Sequence, residues 1–329
     1  MKLYPWLLKP YNNIIQQYQI KKAHHAILIK TSKGMGVSKL IWFISKWILC
    51  LDPIGTNFCN KCHGCKLMSI QNHPDWHYCK SKNNDLFNID EMRIINEKIF
   101  KCSQQGGSKI IFFPDTEKLT ESAVNAFLKT LEEPPNNTWF FLVNYNNLSL
   151  HYTLNSRCLI YKLFVPNEKD SLTWLKKSTK KKDKSCLTSL RINQGSPIYA
   201  KKFINSQIWI ERINFYKCLF HACQNRNLLK ILPILNNKNS IVYINWICFL
   251  LLDSIKFSFN QKEYLTNLDQ IELIEFFSDN YKTIILDVSI RTWMKCRYRL
   301  LNISGINHEL LLLEQLLKWE KILNFIFKI

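Results

Sequence analysis

Cys50, Cys59, Cys62 and Cys65 stand in one short run, CLDPIGTNFCNKCHGCK. Four thiolates can close a tetrahedral structural zinc site. Two successive C-x-x-C steps let one tight turn supply three ligands, and Cys50, at the end of a preceding helix, supplies the fourth. The same turn would suit an iron–sulfur cluster, but the position where that cluster's fourth cysteine belongs is Ser69. His63 is a possible substitute ligand inside the turn, and a set of unliganded thiols is the remaining alternative. Cys79, Cys102, Cys158, Cys186 and the later cysteines are scattered and read as small buried hydrophobes.

A second stretch, KTSKGMGVSKL from Lys30 to Leu40, lies between a strand-like and a helix-like segment. A working phosphate loop reads G-x-x-x-x-G-K-[ST], with backbone N–H groups around the phosphates, a lysine on the terminal phosphate and a hydroxyl on magnesium. Aligned on Gly36, this chain has Thr31 for the first glycine, Val37 for the lysine and Ser38 for the hydroxyl. Gly34, Gly36 and Ser38 remain and the charge is lost. Lys39 is two residues beyond the lysine slot, and two helical steps turn a side chain by about 200°, so it should point away from the phosphates. Lys33 lies in the loop and geometry does not exclude it. A hydrolase of this class also ends its third strand in two adjacent acids. Here IIFFPDTEK offers Asp115, then Thr116 in the second slot, with Glu117 one residue late. Two losses at two ends of one site point to a loop that does not support hydrolysis, so no functional ATP site is expected.

The elements that would hold these residues alternate. AILI (26–29), DWHYC, KIIFF (109–113), TWFFLV (138–143) and LIYKLF (159–164) read as strands. Residues 36–50 read as a helix, as does NIDEMRIINEKIFKC, with apolar positions 89, 92, 95 and 99. TESAVNAFLKTLEE is a helix with Thr120 as N-cap and Pro134-Pro135 as its stop. Such alternation predicts a mostly parallel sheet flanked by helices, with ligands at the carboxyl ends of the strands. After Pro166 the chain turns polar and lysine-rich, and from about 208 it reads as wholly helical. No repeat at solenoid period is present.

The chain of 329 residues carries a formal charge of +20 and 12 cysteines. The charge fits either a polyanionic partner such as nucleic acid or compositional drift, since Lys, Asn and Ile are over-used throughout; KKSTKKKDK (176–184) is the densest block. No signal-peptide pattern opens the chain, so a cytoplasmic location without disulfides is expected. IVYINWICFLLL (241–252) is apolar but reads as too short for a bilayer, and the C-terminal ELLLLEQLLKWEKILNFIFKI carries internal charges that suit a packed helix.

Two further stretches carry a resemblance. NAFLKTLEEPP (125–135), then a strand, then NSRC (155–158) closely resembles the signature of bacterial clamp-loader subunits of the AAA+ class, with Phe127 the one conservative departure. The four-cysteine insertion, the YPWL start at Tyr4 to Leu7, HHAILI and SGINHELLL near the C-terminus are similar to that family as well. The likeness is dense over 1–165, thin over 166–300 and returns at Gly305 to Leu313. It implies an AAA+ α/β fold in three parts: residues 1–165 with the zinc-binding insertion at 50–65, a small helical lid at 166–207, and an all-α collar at 208–329 that joins a hetero-oligomeric ring. For Cys50, Cys59, Cys62 and Cys65 a structural zinc ion is the preferred reading of the spacing.

Within that family, the motor subunits keep the full phosphate loop, and this chain resembles the members that do not. Those members complete a neighbour's ATP site. Arg157, in Ser156-Arg157-Cys158, matches the family's arginine finger, a planar and permanently charged group that can stabilise a γ-phosphate in trans. The family's second sensing arginine has Ile198 in its slot, in GSPIYA. The implied partners are the motor (gamma/tau) subunits and the delta subunit, and indirectly the sliding clamp and primed DNA, with no membrane. Two rival readings remain open at this level: an active ATPase with a relocated lysine, and a zinc-dependent nucleic-acid-binding module.

Overall fold

A computed structural model describes residues 2–80, 86–105, 107–145, 152–303 and 305–324. The chain divides into two compact units, Met1–Asn167 and Glu168–Ile329.

The first unit contains, in order, α1 (Leu8–Gln19), β1 (Ala26–Thr31), α2 (Val37–Ile48), α3 (His63–Ser69), β2 (Trp76–Tyr78), α4 (Ile89–Phe100), β3 (Lys109–Phe113), α5 (Glu121–Glu132), β4 (Thr138–Asn144), α6 (Tyr152–Asn155) and β5 (Leu159–Leu163). The strands form one sheet in the order β2-β3-β4-β1-β5, and every adjacent pair is parallel. Parallel strands need covered faces, which is why KIIFF is apolar at consecutive positions instead of alternating. Ile27, Ile29, Ile110, Phe112, Phe141 and Val143 point to one face and pack with α1 and α2. Leu28, Ile111, Phe113, Phe140 and Leu142 point to the other and pack with α4 and α5.

Local signals set the helix ends. The Thr120 hydroxyl accepts the Ala123 N–H at 3.2 Å, capping α5, and α5 ends two residues before Pro134. Asn88 and Glu91 form a reciprocal capping box at the start of α4. Expected and observed bounds differ only at the ends: β1 runs on to Thr31, β4 to Asn144, β5 stops at Leu163, and α2 covers 37–48 of the expected 36–50.

The second unit is helical among its described residues: α7 (Glu168–Thr179), α8 (Asp183–Ile192), α9 (Pro197–Ile204), α10 (Gln207–Gln224), α11 (Leu232–Leu235), α12 (Ser240–Ser258), α13 (Ile271–Asn280), α14 (Thr283–Asn302) and α15 (His308–Asn324). Leu175, Cys186, Leu190, Ala200, Ile204 and Trp209 form a small core under α7 to α10. A larger core runs through α10 to α15, centred on Trp246, Phe277, Trp293 and Trp319. Ser304, in the SGINHELLL stretch, lies outside the described residues.

Two sequence expectations need correction. The apolar run at 241–252 belongs to a helix of 19 residues with mean hydropathy 1.5, long and apolar enough by those measures to cross a bilayer. Its packing gives the other explanation: Ile244, Trp246, Ile247, Leu250 and Leu251 are buried in the helical core, and the fully buried Asp253 accepts N–H bonds from Thr266 and Asn267. Nor are all the scattered cysteines buried. Cys102 and Cys218 are exposed, whereas Cys79, Cys158, Cys186, Cys223, Cys248 and Cys296 are buried.

Candidate functional site

The glycine loop leaves β1 and enters α2 through two left-handed residues, Gly34 at φ 81° and Gly36 at φ 82°, where a side chain would be strained. Gly36 is the N-cap of α2. Val37, in the lysine slot, is buried and packs in the core between α1, α2 and the sheet. Lys39 turns to Tyr4, its Nζ 4.2 Å from the ring centre, and desolvation lowers its pKa. Tyr4 stacks on Trp6, with ring centres 5.0 Å apart and planes 1° from parallel, and Trp6 Nε1 donates to the Met35 carbonyl at 2.9 Å. The N-terminal segment therefore braces the loop. Lys33 Nζ lies 5.7 Å from the Tyr145 ring centre.

At the end of β3, Asp115 Oδ1 accepts the Glu117 N–H at 3.2 Å. Thr116 is buried, and its hydroxyl donates to the Val143 carbonyl at 3.0 Å. Glu117 Oε1 accepts the Tyr145 N–H at 2.9 Å. The two positions where a second acid could act are thus tied into the carboxyl end of β4. Sequence reading missed Asn144, the polar end of the otherwise apolar TWFFLVN. It pairs in register with Lys30 of β1, and both polar atoms of its buried amide lack a hydrogen-bond partner. Its signal was a lone amide closing a buried strand.

Arg157 sits on the turn between α6 and β5, and Ser156 and Cys158 flank it. Its side chain is 32% exposed. Nη1 donates to the Thr153 carbonyl and to Ser156 Oγ, both at 3.2 Å. Nε donates to Glu132 Oε1 at 2.6 Å, and Nη2 pairs with the same oxygen. Cys158 is buried, and desolvation pushes its thiol up to about 12, so it serves as a packed anchor for the turn and not as a nucleophile. Glu132 was not singled out in the sequence, because nothing in its spacing ties it to a residue 25 positions away.

The four cysteines of the insertion converge. Their Sγ atoms all lie within 4.8 Å of one another. Cys50 and Cys59 are 3.5 Å apart, Cys62 and Cys50 3.9 Å, and Cys59 and Cys65 4.0 Å. A tetrahedron with metal–sulfur bonds of about 2.3 Å has edges of about 3.8 Å, whereas a disulfide needs about 2.05 Å. Backbone N–H groups of Cys59, Cys62 and Cys65 each point at the preceding cysteine's sulfur at 3.3 Å, the pattern that stabilises thiolates. N–H bonds from Cys62 and Lys61 push the more open Cys59 down to about 6, while burial raises Cys50 and Cys65. The donor set fits a tetracoordinate metal. His63, the first residue of α3, is outside the cluster of four.

Comparison with known proteins accounts for nearly the whole chain. Residues 8–167 match the family described as DNA polymerase III, delta subunit; residues 166–204 match the AAA+ ATPase lid domain of DNA polymerase III subunit delta'; residues 206–321 match the C-terminal part of the delta subunit family. The chain is 74% identical over 325 residues to DNA polymerase III subunit delta' of Buchnera aphidicola subsp. Acyrthosiphon pisum, covering 99% of this chain and 100% of that protein. It is 32% identical over 321 residues to the delta' subunit of Escherichia coli K12, covering 97% and 96%. A gamma subunit-related protein of Thermotoga maritima shares the fold, with TM-score 0.50 and 17% identity over 94% of this chain and 98% of that one. The parallel sheet, the glycine loop and the lid together are an AAA+ fold, and the chain belongs to the DNA polymerase III subunit delta' family.

Proposed function

We propose that this chain is a non-hydrolysing subunit of the DNA polymerase III clamp loader and acts on a neighbour's nucleotide through Arg157. The observation that carries the reading is the contrast between two positions. Val37 is packed into the core where a phosphate-loop lysine would have to reach out, and Arg157 stands on a surface turn with its guanidinium partly open to solvent. Charge is missing where this chain would hold its own γ-phosphate and present where it could meet another's.

In this reading ATP is bound and cleaved by a motor (gamma/tau) subunit. Arg157 approaches its γ-phosphate across the subunit boundary and stabilises the charge that develops on the equatorial oxygens. Ser156 and Cys158 fix the turn. Gly34, Gly36 and Ser38 are remnants of a phosphate site, retained because the loop still turns β1 into α2, and Asp115 after β3 is a remnant acid of the same site. Residues 1–165 form the AAA+ domain, 166–207 the lid and 208–329 the collar that joins the ring with motor and delta subunits. The assembly places the sliding clamp on primed DNA in the cytoplasm. Cys50, Cys59, Cys62 and Cys65 hold a zinc ion that supplies no chemistry to the reaction and cross-links the insertion to the end of α2.

The test is ATP turnover by the chain alone and in a complex reconstituted with motor and delta subunits, clamp and primed DNA. The reading expects no turnover by the isolated chain, and slow hydrolysis at the adjoining motor site with Arg157→Ala. ATP turnover by the isolated chain would make it an ATPase with a relocated lysine and overturn the proposal.

A further inference from the structure

Arg157 is gripped along one edge by a residue of another element. Nε donates to Glu132 Oε1 at 2.6 Å, and Nη2 pairs with the same oxygen. Glu132 is the last residue of α5, and that helix end is itself fixed. The His25 ring donates from Nε2 to the Leu131 carbonyl at 2.9 Å, and Glu133 N donates to the Lys129 carbonyl at 3.1 Å. Pro134 and Pro135 then keep the helix from running on. The carboxylate thus stands on a rigid base, whereas the arginine stands on a short turn.

We propose that Glu132 is a positioning residue for Arg157: it holds the Nε–Nη2 edge of the guanidinium so that the group meets a neighbour's phosphate in one preset orientation. This rests on the reading of Arg157 as a residue that acts in trans. A latch that hides the arginine is the opposite idea, and exposure decides against it. The two side chains are 32% and 48% exposed, and a pair that open to water is weak. It cannot withhold Arg157 from a triphosphate of higher charge. It does remove rotamers from a long side chain that would otherwise sample many, and a fork aligned in advance loses less freedom on meeting its target. Arginine suits this double use, because its several N–H groups let one edge be held while the outer ones exchange partners. The Nη1 bonds to Thr153 O and Ser156 Oγ, both at 3.2 Å, are the weaker contacts open to exchange.

The experiment compares Glu132→Ala, Glu132→Gln, Arg157→Ala and the Arg157→Ala/Glu132→Ala pair in the complex with motor and delta subunits, clamp and primed DNA. Assembly is checked by gel filtration and folding by circular dichroism. Glu132→Ala is expected to lower kcat for ATP roughly 3- to 10-fold with KM unchanged. Glu132→Gln keeps a carbonyl acceptor for both N–H groups and is expected within about 2-fold of the unsubstituted chain. In the Arg157→Ala background the further loss from Glu132→Ala should vanish. Full turnover by Glu132→Ala beside a slow Arg157→Ala overturns the positioning role alone, as does a loss that persists undiminished in the double variant. Full turnover by Arg157→Ala removes the trans-acting reading and this proposal with it.

Discussion

Lys39 Nζ lies over the face of the Tyr4 ring, 4.2 Å from its centre. This cation, two residues past the lysine slot in sequence, is thus engaged by the N-terminal segment, and the same segment holds the loop through Trp6 Nε1 and the Met35 carbonyl. An ammonium on an aromatic face gains from the ring quadrupole and from partial desolvation. Moving it to a phosphate would require giving up that contact.

Lys39→Ala therefore separates a relocated catalytic lysine from a packing residue. In the reconstituted complex its ATP turnover should stay within about 2-fold of the unsubstituted chain, whereas Arg157→Ala should slow the adjoining site on the order of 10³-fold, the usual scale for a finger supplied in trans. Single-turnover hydrolysis resolves that site from the others. A loss with Lys39→Ala as large as with Arg157→Ala would restore this chain's own pocket to the mechanism.

Zinc binding to the thiol cluster should be stoichiometric and structural. Elemental analysis of the purified chain should give one zinc per chain. Cys65→Ser exchanges a buried thiolate for a hydroxyl that zinc holds poorly, so metal should be lost. The melting temperature of the first unit should fall by roughly 4–8 °C, the shift that about 2 kcal/mol produces in a domain of this size. A chelator should reproduce the shift in the unsubstituted chain and not in the variant. Retained melting temperature with metal removed would leave the cluster without a structural role. If Cys62→Ser and Cys65→Ser abolish DNA binding while fold and assembly survive, the module reads nucleic acid.

Acid should weaken the first unit through its histidines. His25, His73 and His77 all have pKa values lowered from the usual 6.5, in each case chiefly by desolvation. For His25 the neighbouring His24, stacked at 4.3 Å, adds to the effect. The folded chain thus binds fewer protons than the unfolded one just below pH 6.5. Stability is whole above that value, falls as pH drops through 6.5, and goes on falling until the lower folded pKa is passed. Urea midpoints at pH 7.5, 6.5 and 5.5 measure this. The fall should shrink in His25→Gln, whose side chain can donate to the Leu131 carbonyl without titrating. Midpoints that rise on acidification would refute the assignment.

Much of this arrangement is visible in the residues themselves, and the reasons are local. KIIFF is a strand because four consecutive apolar residues, Ile110 to Phe113, suit a strand covered on both faces. TESAVNAFLKTLEE is a helix because a threonine caps it and two prolines stop it. The cysteine cluster shows in spacing because three of its thiols come from one turn. What spacing cannot show is convergence from distant elements. Glu132 and Arg157 meet only because α5 and the turn after α6 are brought together, and no periodicity marks the pair. Asn144 has an unpartnered amide that only burial reveals. The length of α12 was also hidden, because the polar Ser240 before the apolar run and Asp253 and Ser254 after it bound a run that the helix extends beyond.

Arg212 offers a test of the second unit. It is fully buried in α10, with Nη1 2.7 Å and Nη2 3.0 Å from the two carboxylate oxygens of Asp269, and Nη2 2.6 Å from Asn267 Oδ1. Its guanidinium also lies 5.0 Å from the Trp209 ring centre and 4.8 Å from that of Tyr216. Burial alone would raise the Asp269 carboxyl; the bonds to Arg212 hold it below the usual range instead. A buried ion pair is costly to desolvate, so its presence adds little net stability, but removing one partner strands the other. Arg212→Ala should therefore cost about 3–5 kcal/mol, since it takes the paired cation from the Asp269 carboxylate in a low-dielectric site and leaves Asp269 and Asn267 the longer bonds from Gln270 and Tyr216. Arg212→Met with Asp269→Leu should cost much less, because both charges go together and the volume is largely kept. Urea unfolding of the full chain, followed by far-UV circular dichroism, separates the two outcomes. Equal losses in the single and double variants would mean that Arg212 stabilises the unit by packing against Trp209 and Tyr216 and not through its pairing with Asp269.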